Sequence, residues 1–506
     1  MHLDEILSET AGRFPHRVAV SCNEEDHTYA EFDARVDRVA AAFRNIGLVP
    51  GDRLAYQLPN TRFEALITLF AALRAGLIVV PIATRQTPSQ VAYILRHCAT
   101  RAFVTDAEFL ARLDPEKRAG VEWIISVGQP VEGTLSFDTL PFEPRRDLPS
   151  GLPGEDAIGL ILYTSGTTNR PKGVAHSQLR LRIRVDLFVE EMGLSENDAT
   201  VACIDIGRPL ILLGQVLAML AVGGKLTLAK PGDPQSFWNA YRTQGNTSYV
   251  IMLPVIATAL LNHPAARTVS HQSLRYWICG GDRVLPHLRQ QIAEIVGKPV
   301  FELCGMTETG FFSVTPPRGE IRPGSVGKPM QGTLIRVIDP AGGEVEAGEV
   351  GEILVRTPNT MVGYWNDTLG TFRVFMDRWV RSGDLGRVDA EGYLWIVGRA
   401  KLMISRGGQK VAPPMVEDAI REHPAIAEAV VVAQSDPHQG QIPFAYYEVR
   451  PGAKDPGAAD LREWLRSRLD IPSIPDTFVR IERWPMTTSG KVDRSRLTLL
   501  AESGGH

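Results

Sequence analysis

The stretch Tyr163–Val174, Y-T-S-G-T-T-N-R-P-K-G-V, constrains this chain more than any other. It continues from Ala157–Tyr163 (A-I-G-L-I-L-Y), an apolar, β-prone run that reads as a buried strand. Thr164, Ser165, Gly166, Thr167 and Thr168 then present hydroxyls and backbone N–H groups at short reach. Lys172 adds one positive charge, and together these groups suit a loop that wraps a phosphate chain. The spacing is not that of a Walker A loop. Counted from Gly166, that motif needs glycine at 171 and serine or threonine at 173, and the chain has Pro171 and Gly173. Those two residues also oppose a helix start, so the loop is expected to turn back as a hairpin.

A chain of 506 residues exceeds one ordinary core, so two or more domains are expected. A net charge of −4 gives no electrostatic footprint for nucleic acid. The most apolar stretches, Leu66–Ala83 and Pro209–Gly224, are interrupted by Arg74 and Gln215 and contain glycine. They read as buried helix or helix-turn-strand rather than membrane spans. The N-terminus, M-H-L-D-E-I-L-S-E-T, is acidic where a signal peptide is basic. Cys22, Cys98, Cys203, Cys279 and Cys304 lie far apart, with no C-x-x-C pair, which opposes a zinc site and fits a reducing cytoplasm.

The first 150 residues alternate helical patterns with short apolar strands: Tyr29–Leu48 and Phe63–Ala75 as helices, Leu77–Pro81 as a buried strand. Phe142–Gly154 reads as a Pro/Gly-rich surface connection. Ser177–Gly193 reads as a helix with Ser177 as N-cap and Gly193 at its end. Gly351–Thr357 and Tyr393–Val397 read as strands. After Gly398–Lys401, a helix begun by Pro413, a strand at Ala427–Ala433 and a helix at Leu461–Leu469 make a small α+β unit.

Four further motifs follow in order: C-G-M-T-E-T-G (Cys304–Gly310), R-S-G-D-L-G (Arg381–Gly386), G-R-A-K (Gly398–Lys401) and P-M-T-T-S-G-K (Pro485–Lys491). Each alone is an ordinary turn with a charge. Together with the hairpin loop, and in this order, the chain resembles the adenylate-forming superfamily: acyl- and aryl-CoA ligases, peptide-synthetase adenylation domains and firefly luciferase. The resemblance runs from the N-terminal helical region to Lys491.

It implies an α/β fold with a large, multi-subdomain N-terminal domain of layered sheets and helices, residues 1–398. A small mobile α+β C-terminal domain, 399–506, would follow a hinge near Lys401, with the active site between the two. The implied activity couples a small carboxylic acid, aryl or acyl, to ATP, giving an acyl adenylate and pyrophosphate, with transfer to CoA. ATP, Mg2+ and CoA are the implied cofactors and co-substrate.

The chemistry brings two anions together, with a repulsion of roughly 4 kcal/mol at about 4 Å and an effective dielectric of 20. By resemblance Lys491 supplies the opposing charge, touching the carboxylate and the α-phosphate. Thr164–Thr168 and Lys172 would hold the β- and γ-phosphates, Thr307 the α-phosphate, and Glu308 the Mg2+. Asp384 would accept the ribose hydroxyls, aided by Arg399. Gly280, Gly281 and Asp282 match the turn against adenine, where backbone approaches a flat ring closely. Lys401 is the implied hinge residue and Gly408 lines the implied acceptor tunnel. Ile206, Ile211, Gly305 and Met306 are the implied acid-pocket residues. Asp205, which could meet a substrate amine, reads better as a turn or strand-end acid.

The chain departs from the family pattern at Asn169, where glycine is usual, and at Cys304, where an aromatic usually stacks on adenine. Leu402 follows the hinge where an acid is common, and Ile211 replaces an aromatic or histidine. These changes leave other acceptors and acids open: a carrier protein acting in trans, an amine, or nitrite activated for diazotisation of an arylamine. A non-catalytic nucleotide-binding relative is the remote alternative, opposed by retention of Glu308, Asp384, Arg399 and Lys491. No nucleic-acid or membrane partner is expected.

Overall fold

The computed structural model describes residues 3–118, 120–142, 154, 156–164, 171–487 and 491–503. The chain divides into two compact units, Met1–Leu334 with Val355–Val380, and Ile335–Leu354 with Arg381–His506. This line differs from the expected division at 398, since 335–354 and 381–398 pack with the C-terminal residues.

The first unit is built on two mixed sheets of eight and nine strands. In the eight-stranded sheet, Arg53–Gln57, Ile78–Pro81, Ala102–Asp106 and Trp123–Val127 run parallel, as β/α alternation requires. The Glu64–Arg74 helix buries every residue from Ala65 to Leu73 and returns into the Ile78–Pro81 strand, so the apolar Leu66–Ala83 stretch is a helix-turn-strand. No helix among the described residues is long and apolar enough to cross a membrane.

Ile158–Thr164 lies against Ile78–Pro81 and pairs antiparallel with Lys172–Ser177, the expected hairpin. Ser177 then caps the Gln178–Met192 helix by accepting from the Arg180 N–H, and Gly193, at φ 56°, ends it in the left-handed region.

In the nine-stranded sheet, Tyr249–Met252, Tyr276–Gly280 and Val300–Met306 run parallel, and Gly310–Val314 turns back antiparallel. Pro209–Val222 is helical and almost wholly buried, but Leu212–Leu217 forms a π turn flanked by α turns. Within it the Gly214 carbonyl accepts from Tyr249 OH at 2.9 Å, and Gln215 Nε2 donates to Thr200 Oγ1 at 2.6 Å.

The second unit carries a five-stranded sheet in which Ile426–Asp436, at one edge, and Gly440–Val449 form the long hairpin. The Pro413–Arg421, Gly457–Arg466 and Arg494–Glu502 helices flank it. Buried Glu417 accepts from Arg494 at 2.6 Å and from the Val431 N–H at 2.8 Å, tying the first helix to the last and to the sheet. The α+β character expected for the last hundred residues is what the structure shows.

Candidate active site

In the first unit the hairpin register sets Thr164 opposite Lys172 and Tyr163 opposite Gly173. Glycine at 173 leaves room for its neighbours, since a Cβ there would stand 2.9 Å from Ile161 Cγ2. Ser165, Gly166, Thr167, Thr168 and Asn169 lie outside the described residues. Lys172 Nζ sits 4.3 Å from the Tyr364 ring centroid and 3.7 Å from Asp367 Oδ2.

Tyr364 in turn donates its hydroxyl to Glu308 Oε1 at 2.7 Å. It reaches there because the short Gly363–Tyr364 strand pairs with Val174 and Ala175, on the return arm of the same hairpin. Burial, then the Glu308 charge and the hydrogen bond to it, push the Tyr364 hydroxyl far above its ordinary value, so it remains a proton donor. Lys172 and Glu308, far apart in the sequence, are thus joined through one phenol.

Thr307 and Glu308 sit in the tight turn between Val300–Met306 and Gly310–Val314, with Met306 opposite Gly310. Gly280 pairs with Leu303 on the same strand, which places the Gly280–Gly281 turn beside Cys304, Gly305 and Met306. Gly281 has φ 79°, and a Cβ on Gly280 would lie 2.6 Å from the Leu303 carbonyl oxygen. Asp282 accepts from the Arg283 N–H at 2.9 Å.

The 205–211 segment reaches this turn through Leu210, whose methyls would lie 3.5 and 3.8 Å from a Cβ at Gly280 and Gly281, beyond the nearer Leu303 and Leu253. Ile206 and Ile211, at 1% and 0% exposure, pack into the core behind it. Asp205 is a structural acid: Oδ2 accepts from the Thr84 N–H and hydroxyl at 2.7 and 2.8 Å, and Oδ1 from the Gly207 N–H at 2.9 Å.

In the second unit, Asp384 and Arg399 are cross-strand partners, with Arg399 Nε 2.9 Å from Asp384 Oδ1. Burial raises the Asp384 carboxyl above its ordinary value, while Arg399, Lys491 and Lys401 pull it back down. Lys401 is lowered by burial and by Arg399, against the pull of Asp384. Four expected site residues therefore share one electrostatic environment. The Lys491 N–H donates to Thr487 Oγ1 at 3.2 Å, and its carbonyl accepts from the Thr487 N–H at 2.7 Å. Gly408, at φ 85°, follows Gly407, at φ 53°, in the hairpin joining Ile404–Arg406 to Gln409–Val411.

The raised Asp384 carboxyl has a stability consequence. A folded-state pKa above the unfolded one means the folded chain holds the proton more tightly, so ionisation costs stability as pH rises through that range. Asp384→Asn is therefore expected to raise the thermal midpoint at neutral pH while weakening ATP binding. A midpoint that falls would show the Arg399 pair to be net stabilising instead.

The donor set suits Mg2+. Glu308 offers a hard carboxylate oxygen, and Oε2 has no hydrogen-bond partner among the described residues. Those residues contain no cluster of three or more Asp, Glu, His or Cys side chains that could cage a metal. One carboxylate, with the rest of the shell from phosphate and water, is how Mg2+ is commonly held with a nucleotide. Sequence reasoning missed Tyr364, whose only local signal was an aromatic pair after glycine in M-V-G-Y-W-N.

A family model for AMP-binding enzymes matches residues 7–365, and one for the AMP-binding enzyme C-terminal domain matches residues 415–491. A feruloyl-CoA synthase from Amycolatopsis sp is 34% identical over 489 residues, covering 94% of each chain. An indoleacetate–CoA ligase from Aromatoleum aromaticum is 29% identical over 500 residues, covering 97% of this chain and 96% of its own. The crystal structure of the anthranilate CoA ligase AuaEII in complex with anthranoyl-AMP superposes with a TM-score of 0.90 at 25% identity, covering 99% of this chain and 97% of that one. ATP, Mg2+ and CoA are the cofactors and co-substrate of such ligases. Fold, matched models and relatives agree: the chain belongs to the AMP-binding enzyme family, whose members activate a carboxylic acid as an acyl adenylate.

Proposed function

We propose that the protein is an acid–CoA ligase acting on a small aryl carboxylic acid. A carboxylate oxygen of the acid attacks the α-phosphorus of ATP and pyrophosphate leaves. The CoA thiolate then attacks the acyl carbonyl and AMP leaves. The observation that carries the nucleotide half of this reading is the Lys172–Tyr364–Glu308 chain, which holds a cation and a carboxylate beside the mouth of the Thr164–Lys172 loop. Lys172 binds the outgoing phosphates with Thr164, Ser165, Gly166, Thr167 and Thr168. Thr307 contacts the α-phosphate, and Glu308, steered by Tyr364, supplies an oxygen to Mg2+. Asp384 and Arg399 hold the ribose, and Lys491 neutralises the meeting anions.

The turn formed by Gly280, Gly281 and Asp282 takes the adenine. Gly305, Met306 and the segment bearing Ile206 and Ile211 frame the acid. An aryl acid is favoured because the two relatives described above are named for acids that carry an aromatic ring. Leu210, from the same segment, lies where that turn meets the acid side and offers it an apolar surface rather than a charge.

The test is pyrophosphate release from Mg-ATP across aryl, cinnamyl, fatty and amino acids and nitrite, first without acceptor and then with CoA. Release with aryl acids and thioester formation on adding CoA are expected. Release with nitrite alone would replace the ligase reading with diazotisation. Bound ATP with no release for any acid would favour a non-catalytic relative.

A further inference from the structure

Arg180 and Arg184 stand one turn apart on one face of the Gln178–Met192 helix. Between them they hold three consecutive carbonyls. Arg184 Nη2 donates to Asn359 O at 2.8 Å, and Arg180 Nη1 donates to Thr360 O at 2.7 Å and Met361 O at 3.1 Å. Turned so that its amide oxygen faces Arg184, the Asn359 side chain also accepts from that guanidinium and donates to Thr357 Oγ1 at 2.7 Å.

The 357–361 segment so held grips the Glu308 turn from outside. Thr357 Oγ1 donates to Thr309 O at 3.1 Å, and the Met361 N–H donates to Glu308 O at 2.7 Å. Three residues on, Tyr364 bonds the Glu308 carboxylate itself. Main chain and side chain of Glu308 are therefore both fixed by one short strap, and the strap is fixed by two arginines.

Packing alone does not account for Arg184. It is 2% exposed, and no carboxylate pairs with it among the described residues. Burial alone pushes its guanidinium down to about 9. A buried cation without a counter-ion is costly, and an apolar side chain of similar volume would fill the space at less cost. The turn is shaped to admit it: Gly310 has φ 69°, and a Cβ there would fall inside the Arg184 guanidinium.

We propose that Arg180 and Arg184 are positioning residues for Glu308, setting through the 357–361 strap where its carboxylate stands to receive the Mg2+ of Mg-ATP. The proposal rests on Glu308 being the Mg2+ ligand. Groups that orient a metal-binding carboxylate typically change metal affinity by about 10- to 100-fold when removed.

The experiment is ATP binding to the full chain by calorimetry, with and without Mg2+, alongside thermal unfolding. The readout is the gain in ATP affinity that Mg2+ confers. Arg184→Met and Thr357→Val are each expected to cut that gain by about 10-fold, with metal-free ATP affinity little changed. Glu308→Gln should abolish the gain.

If Glu308→Gln keeps the gain, Glu308 is not the ligand and the proposal fails with that assignment. If Glu308→Gln loses it while Arg184→Met and Thr357→Val keep it, the positioning role alone is overturned. Equal weakening with and without Mg2+ would also overturn it, since that is what mere loosening of the fold predicts. Should Arg184→Met not fold, Arg180→Gln at its half-buried position decides between the same outcomes.

Discussion

Lys491→Ala is expected to slow adenylate formation by about 10²–10³-fold, the cost of about 2.7–4 kcal/mol that follows loss of one preorganised charge contact in a transition state. Lys491 is exposed and its backbone is held in a turn by Thr487, so the substitution leaves packing intact. The thermal midpoint and ATP affinity should therefore change little. Rapid-quench measurement of the pyrophosphate burst isolates the first half-reaction. The second half, started with a preformed acyl adenylate and CoA, should keep most of its rate if Lys491 serves adenylation only. A burst unchanged in rate would remove Lys491 from the chemistry. Equal slowing of both halves would instead contradict the proposed swing about Lys401.

A second large effect concerns stability in acid. His176, on the return arm of the hairpin, is 0% exposed, and neither ring nitrogen has a well-formed hydrogen bond. Burial, then the charges of Arg184 and Arg180, lower it from 6.5 to about 3, with the Thr307 backbone opposing the shift. A folded pKa below the unfolded one means that the unfolded chain takes up the proton first as pH falls. Stability is therefore full above 6.5 and drains away down to about 3. At roughly 1.4 kcal/mol per unit the loss amounts to several kcal/mol, a large share of a typical domain's margin. His176→Leu removes the proton site and two unsatisfied polar atoms. The variant should be at least as stable as the parent near pH 7, and its advantage should grow below pH 6, as read from urea midpoints at a series of pH values. Parallel pH slopes in the two proteins would exclude His176 as the cause.

Much of this architecture was readable where the signals were local. Ser177 and Gly193 bracket their helix because a hydroxyl can satisfy an N-terminal N–H and only glycine turns left-handed at little cost. Pro171 and Gly173 exclude a helix after the phosphate-type loop, and the chain returns as a strand. The parts not readable are those made by distant pairing. Tyr364 meets Glu308 only because Gly363–Tyr364 docks beside Val174, and no spacing in the sequence announces that register. Arg180 and Arg184 carry no local signal of their role either, because the carbonyls they hold belong to a segment far along the chain. In the 205–211 segment Leu210 is the side chain against the glycine turn while Ile206 and Ile211 are buried, an orientation set by how the segment packs rather than by its residue types.

The π turn at Leu212–Leu217 makes that phase adjustable. A π turn holds one more residue than the α turns around it, and removing one residue would let the helix close as α while rotating its leading end by about 100°. The turn itself is tied to the neighbouring strand by the Gln215 bonds to Thr200 and Val201. A change in length here would therefore swing Leu210 away from Gly280 and bring a neighbour round in its place, without altering any residue's identity. In this helix, insertion and deletion are routes to a new pocket lining that substitution alone does not offer.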